Sequence, residues 1–322
     1  MTFGATEEEG VEFAPDGRSF VTSIGLRTST VWVHDARGDR QITSQGFGMR
    51  PSISPDGKKL YYLMRSGGRD SYISGSLWVA DLETGRQQRL VPGYLMQSYD
   101  IAADGKRVVF AAADDSTRSP LWLASLDGST PPRRLVRSDA LQAFFGVDGE
   151  VVFAGREQDK NFIYRVKEDG RELRKVVQAS NVEGVSPDGK WVAVWVAGSS
   201  DDDLLNAWLV YPIDGGRPTL ICGKCGPSPS FERGPWPQAV SWSRDGRFLY
   251  LDLYGSAYAI PLAPGRALPP LPAAGLRSDE EVAALPGARR IPQDKAFVGP
   301  NPSLYAFTKV SIQRNIYRVP VQ

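Results

Sequence analysis

The chain has 322 residues, 41% of them apolar, with a formal net charge of +1 and a single histidine. Near-neutral charge (pI ≈ 7.7), with basic residues spread along the chain, leaves no electrostatic footprint for nucleic acid. No apolar run approaches the length of about 18 residues expected of a membrane-crossing helix, and two cysteines do not make a disulfide framework.

Met1-Thr-Phe3 reads as the end of an outer strand. The chain starts almost inside a repeat, with no signal peptide before it, as expected of a module cut from a longer protein. From there one unit recurs, written most clearly as Ser52-Ile-Ser-Pro-Asp-Gly-Lys-Lys-Leu-Tyr-Tyr-Leu63. It predicts a short strand, a turn and a second, alternating strand. Asp-Gly between alternating runs is a strong hairpin signal, because glycine takes the positive φ and aspartate bonds the backbone ahead of it. The dipeptide stands at 16–17, 56–57, 104–105, 148–149, 188–189 and 245–246. Asn301-Pro302 marks a seventh, degenerate copy.

Three positions before each turn Asp (or Asn301) stand Phe13, Ile53, Ile101, Phe145, Val185, Trp242 and Val298, all large and apolar. The next column, Ala14, Ser54, Ala102, Gly146, Ser186, Ser243 and Gly299, is small throughout. A third strand carries an aromatic in every copy, as in Thr30-Val-Trp-Val-His34, Ser76-Leu-Trp-Val-Ala80 and Asn315-Ile-Tyr-Arg-Val319. A poorer fourth strand closes each unit, as in Arg40-Gln-Ile-Thr43 and Arg134-Leu-Val136. Four short antiparallel strands every ~40–45 residues is the pattern of β-propeller blades. The sequence therefore predicts an all-β chain in which residues 1–322 form a single domain, a seven-bladed β-propeller of four-stranded antiparallel blades. An N-terminal strand is expected to complete the last blade, removing exposed sheet edges.

Several segments depart from the repeat. Arg65–Gly75 is a long, polar, Gly-rich loop, read as a surface insertion with a binding role as the alternative. Gly198-Ser-Ser-Asp-Asp-Asp203 offers oxygens to Ca²⁺ but lacks a calcium-loop spacing, which favours a solvated acidic loop. Cys222-Gly-Lys-Cys225 opens an insertion running to about residue 236. One such motif supplies two thiolates where structural zinc needs four ligands, so Cys222 and Cys225 are expected as a local disulfide or a reduced pair, without metal. A second insertion, about 261–291, is Pro-rich and then carries a short helix, with Ser278 as N-cap and Glu281 completing a capping box. A structural strap is favoured over a partner surface, because its leucines and alanines need burial.

Chemistry is sparse. The only histidine, His34, lies on a predicted strand, and the sequence contains no G-x-S-x-G, Walker A, H-E-x-x-H or G-x-G-x-x-G. Carboxylate acid–base pairs remain open among 37 acids. Polar residues at the start of the inner strands, Glu12, Arg50, Asp100, Gln142, Glu183, Gln238 and Lys295, are the candidate binding set at the channel mouth. No cofactor is expected.

Ser54-Pro-Asp-Gly-Lys-Lys-Leu-Tyr-Tyr62 with Leu77-Trp-Val-Ala-Asp-Leu-Glu-Thr-Gly85 resembles the PD40, or TolB-like, WD40-type repeat. The C-terminal stretches Tyr258-Ala-Ile-Pro-Leu262, Leu268-Pro-Pro-Leu-Pro272 and Gln313-Arg-Asn-Ile-Tyr-Arg-Val-Pro320 resemble the terminal propeller of acidobacterial-type Ser/Thr kinases and winged-helix regulators. The resemblance implies a bacterial, extracytoplasmic sensor or interaction module within a larger signalling protein, and supplies no catalytic residues. The expected role is a monomeric, non-catalytic module for a protein, peptide or small ligand. The alternative is an enzyme-associated propeller, peptidase-type or hydrolase/lyase, using channel carboxylates.

Overall fold

A computed structural model describes residues 6–15, 17–65, 74–114, 118–197, 206–225, 239–293 and 295–320. Most of the Gly-rich 65–75 loop, the acidic 198–203 loop, the segment after Cys225 and residues 1–5 lie outside that set.

The repeat turn is built as its residues require. In Ser54-Pro-Asp-Gly57 the Ser54 hydroxyl donates to Asp56 Oδ1 (2.5 Å) and accepts from Lys59 N (2.9 Å), while Lys58 N donates to the same carboxylate oxygen (3.1 Å). Gly57 has φ +70°. Ser186/Asp188 and Ser243/Asp245 repeat the network within 0.1 Å. Satisfied side-chain acceptors lock the hairpin that joins the first two strands of a blade.

In chain order the strands are β1 (Thr6–Phe13), β2 (Ser19–Asp35) and β3 (Gly38–Gln41), then four per blade. Blade 1 is β4 (Phe47–Ile53), β5 (Lys59–Arg65), β6 (Ser76–Asp81) and β7 (Gln87–Arg89). Blade 2 is β8 (Met96–Ile101), β9 (Arg107–Ala112), β10 (Leu121–Ser125) and β11 (Arg133–Val136). Blade 3 is β12 (Ala140–Phe145), β13 (Glu150–Glu157), β14 (Lys160–Lys167) and β15 (Arg174–Gln178). Blade 4 is β16 (Asn181–Val185), β17 (Trp191–Val196), β18 (Ala207–Pro212) and β19 (Thr219–Cys222). Blade 5 is β20 (Val240–Trp242), β21 (Phe248–Leu253), β22 (Ser256–Pro261) and β23 (Arg289–Ile291). Two strands remain, β24 (Phe297–Val298) and β25 (Tyr305–Pro320).

Blade 6 is a composite. Its order is β24, the start of β25, the end of β2, then β3, so each end of the chain gives two strands. Among the described residues the pairing makes six four-stranded blades, not the seven expected. Six apolar clusters, one between each consecutive pair of blades, close the ring. The last of these contacts joins Val31, Val33 and Ala306 of blade 6 to Leu60, Tyr62 and Ala80 of blade 1.

The miscount has a physical cause. The first and last units were each read as having separate second and third strands. Between Thr22 and Thr30 the only turn former is Gly25, which has no positive φ and lies where a Cβ would meet Arg314 Cγ at 2.8 Å. The chain therefore runs straight through as β2, and β25 does the same opposite it. The leftover halves, β1, the start of β2 and the end of β25, form a three-stranded ribbon beyond the ring. Two residues from the apolar columns betray this: Phe13 is 66% exposed and Tyr317 45% exposed. The outer strand of the closing blade is β3; the expected outer strand, at Met1–Phe3, lies outside the described residues.

The 261–291 insertion is a strap. Helix α1 (Asp279–Ala283) starts at Ser278, whose hydroxyl accepts from Glu281 N (3.3 Å). The Glu281 carboxylate reaches Arg277 N (2.9 Å), one residue outside the expected capping box. Leu276, Val282 and Leu285 are buried in the blade 4–blade 5 core, and Leu276 N donates to Ile221 O (2.7 Å). Cys222 and Cys225 are joined as a disulfide beside it.

Two outcomes test this architecture by urea unfolding. Phe307→Ala, which removes a fully buried ring stacked on Trp32 (centroids 6.2 Å apart), costs about 3–5 kcal/mol if β2 and β25 share a blade. Leu276→Ala costs about 2–5 kcal/mol if the insertion is structural, and nearly nothing if it is a detachable surface segment.

Candidate functional site

The inner strands β4, β8, β12, β16, β20 and β24 surround a central cavity of about 490 Å³, lined by residues of all six blades. That volume falls in the range of small-molecule sites, roughly 300–1,000 Å³. Two layers of charge cross it.

The first layer lies at the end where the hairpin turns sit. Arg244, in the blade 5 turn, spans to the opposite blade 2, where Nη2 donates to Asp100 Oδ1 (3.1 Å) and to Ile101 O (2.6 Å). Phe145 N of blade 3 donates to Asp100 Oδ2 (2.9 Å). Burial pushes the Asp100 carboxyl above its ordinary value, against the pull of Arg244 and the backbone donors. This pair bridges the turn end.

The second layer lies one to two residues back along the strands, roughly 3–7 Å by strand rise. Arg50 of blade 1 sits at a bulge in β4 with φ +50°, and its carbonyl accepts from Tyr99 OH (2.7 Å). Among the described residues its guanidinium donates no hydrogen bond and closes no ion pair. Burial lowers its pKa, and the carboxylate of Glu183 is the main opposing influence. Glu183 is the bulged residue of β16 in blade 4, opposite blade 1, so the two charges sense one another across the channel axis. Glu183 Oε2 accepts from Ala239 N (3.2 Å). Its pKa is pushed up to about 7, by burial first, offset in part by that N–H and by Arg50. Asn181 Nδ2 donates to Gln142 Oε1 (2.6 Å). Among the described residues, Ser98 Oγ and Asn181 Oδ1 are buried with no hydrogen-bond partner. Buried polar atoms left unmatched are costly, and a strained, unpaired arginine inside a channel is where a ligand would repay them.

Of the candidate set, Arg50, Asp100 and Gln142 line the central cavity; Glu183 lies on the adjoining inner strand β16 and is not among the lining residues. Glu12 does not: it is exposed on β1, in the ribbon, because the first predicted unit forms no blade. Gln238 lies outside the described residues. Lys295 is exposed just before β24 and, like Arg50, has positive φ (58°). Arg244 was missed, although the signal was in the turn motif. Ser243-Arg-Asp-Gly246 has arginine where Ser54-Pro-Asp-Gly57 and Ser186-Pro-Asp-Gly189 have proline. His34 lies outside the channel, its Nδ1 2.7 Å from Asp39 Oδ1 and its ring stacked on Tyr305.

With this geometry in hand, comparison with solved structures is informative about fold. A putative TolB from Agrobacterium tumefaciens superposes with a TM-score of 0.56 at 13% identity, covering 88% of this chain and 99% of that one. The chain has a TolB-like β-propeller fold. TolB from Acinetobacter baumannii gives a TM-score of 0.52 at 16% identity, over 78% of this chain and 60% of that one. In sequence, the chain is 23% identical over 230 residues to Dipeptidyl-peptidase 5 of Porphyromonas gingivalis, covering 64% of this chain but 32% of the peptidase. No protein-family model matches. Among the described residues no helix is long and apolar enough to cross a membrane. A TolB-like fold does not itself select an activity.

The raised Glu183 pKa carries a stability prediction. A carboxyl whose folded pKa lies above its unfolded value near 4.5 binds more protons when folded, so its contribution falls as pH rises from about 4.5 through about 7. Glu183→Gln removes that loss. The variant should therefore gain on wild type by on the order of 2–3 kcal/mol more at pH 8 than at pH 4, in paired urea melts. An equal difference at both pH values would show Glu183 to be solvated.

Proposed function

We propose that this TolB-like propeller is a non-catalytic binding module whose ligand sits in the central channel at the Arg50–Glu183 layer. The carrying observation is Arg50, which lines the central cavity from a strained bulge and whose guanidinium has no hydrogen-bonding partner among the described residues. In the wider protein the module serves as an extracytoplasmic sensor, coupled to a signalling domain elsewhere in the polypeptide, as the kinase and regulator resemblance suggests. A second reading, an accessory propeller of a peptidase, is favoured by the Dipeptidyl-peptidase 5 match.

Equilibrium dialysis against a yeast-extract ultrafiltrate below about 1 kDa, read by mass spectrometry, tests the proposal. Wild type should retain a compound that the Arg50→Gln/Glu183→Gln double variant releases. Equal retention by both would place the site elsewhere. Steady hydrolysis of dipeptidyl nitroanilides, lost in the same double variant, would instead favour catalysis.

A further inference from the structure

Three consecutive inner strands bring one register position to the cavity wall. Arg50 of blade 1, Ser98 of blade 2 and Gln142 of blade 3 each stand six residues before the turn aspartate, and all three line the central cavity. The matching residues of blades 4 to 6, Val182, Ala239 and Lys295, do not line it. Hydrogen bonds hold the three blades in step: Tyr99 OH donates to Arg50 O (2.7 Å) and Phe145 N to Asp100 Oδ2 (2.9 Å). Each member of the arc has donors to spare among the described residues. The Arg50 guanidinium makes no hydrogen bond, and Ser98 Oγ is buried with no partner. Gln142 Oε1 accepts from Asn181 Nδ2 (2.6 Å), which leaves its own N–H groups without an acceptor. Arg50 is also held in a backbone conformation it would not choose, with φ +50° just before Pro51, where extended backbone is favoured.

We propose that this arc takes the carboxylate of a small monoanionic organic acid, with Arg50 as the main contact and Gln142 as the second. This names the ligand's class for the channel reading and rests on that reading. The planar fork of arginine donates two parallel hydrogen bonds to a carboxylate, and the Gln142 amide supplies another donor from blade 3. One negative charge fits better than two. The other charged lining residues are Arg244, already joined to Asp100, and the acids Asp148 and Asp252. A dianion would gain a single guanidinium and meet carboxylates. The apolar part of the wall lies further along the same strands, toward the turns. Phe144 and Phe297 stand two residues on from the arc position of their strands, and Phe145, Val185, Trp242 and Val298 three. By strand rise that is roughly 7–10 Å from the arc, the reach of a ring or of a short carbon chain. Glu183 does not line the cavity and takes no part.

Isothermal titration calorimetry at pH 7.5 tests the class. The probes are benzoate, phenylacetate, 3-phenylpropanoate and hexanoate. Benzamide is the neutral control, acetate the charge without a body, and inorganic phosphate and sulfate the oxyanions of higher charge. At least one probe should bind at least about tenfold tighter than any control. Arg50→Gln, confirmed folded by circular dichroism, should weaken it by about 10- to 100-fold, the loss expected for a charge-assisted hydrogen bond. Gln142→Ala should weaken it by about 2- to 10-fold, the loss expected for a neutral one. Should Arg50→Gln not fold, Arg50→Gly replaces it, because glycine accepts the positive φ, and the same loss is expected. Benzamide matching the best carboxylate would overturn the anionic class. Phosphate or sulfate binding more tightly than every carboxylate would overturn the monoanionic class. Either result, if abolished by Arg50→Gln, leaves the channel reading standing. A loss with Arg50→Gln but none with Gln142→Ala would overturn the role given to Gln142. Affinity unmoved by the Arg50 substitutions would overturn both the class and the channel reading. Binding by none of the probes would overturn the class, with the dialysis result then deciding the channel reading alone.

Discussion

Sixteen residues of β2 lie antiparallel to β25, from Ser19 against Pro320 to His34 against Tyr305. This ladder is what makes the molecule a ring. Its inner portion supplies the middle two strands of blade 6, with β24 inside and β3 outside. Its outer portion leaves the ring as the ribbon. Each of the other blades is made from one continuous stretch of chain and is held by local hairpins. Without the ladder, blades 1 and 5 would present their apolar flanks, Leu60 and Tyr62 on one side and Tyr250 and Ala259 on the other, to water. Burying such flanks is worth on the order of 1.5–3 kcal/mol per large side chain, so closure is strongly favoured once the strands can meet.

An even number of blades sets the chemistry of the channel. Every inner strand has one directly opposite, and the charged positions pair accordingly: blade 2 with blade 5 through Asp100 and Arg244, blade 1 with blade 4 through Arg50 and Glu183. The first couple is joined at 3.1 Å because Arg244 projects from a turn and has a full side chain's length with which to reach. The second stays apart because both members sit within strands, where bulges and ladder hydrogen bonds fix the backbone. Strand position thus distinguishes a joined charge pair from an unjoined one made of the same residue types.

Much of this was legible in the residues. The Ser-x-Asp-Gly turns, the large and small columns before them and the third-strand aromatics specify blades because each depends on neighbours close in sequence. The strap was legible too, since Leu276, Val282 and Leu285 could not stay in water. The blade count was not, because it depends on which distant strands pair. Ser23–Ser29 offers only Gly25 as a turn former and Thr308–Arg314 has no turn dipeptide, and only their mutual pairing shows that both run straight. The same limit misplaced Glu12, which belongs to an arm rather than to an inner strand. Arg244 is absent from the candidate set for another reason: that set is drawn from the inner strands, whereas this residue sits in a turn and reaches across the ring axis to Asp100.

The composite blade also orders events at the ribosome. At ~5–20 residues per second, the chain between Asp35 and Tyr305 takes on the order of 15–50 s to emerge. Throughout that interval β2, seventeen residues long, lacks its β25 partner and has among the described residues only β1, β3 and a single parallel bridge to β4 beside it. Blades 1 to 5 can condense in sequence as they appear, but the circle waits for the final segment. Nascent molecules in this state are the ones most exposed to mispairing, since any extended segment can occupy the vacant side until β25 arrives.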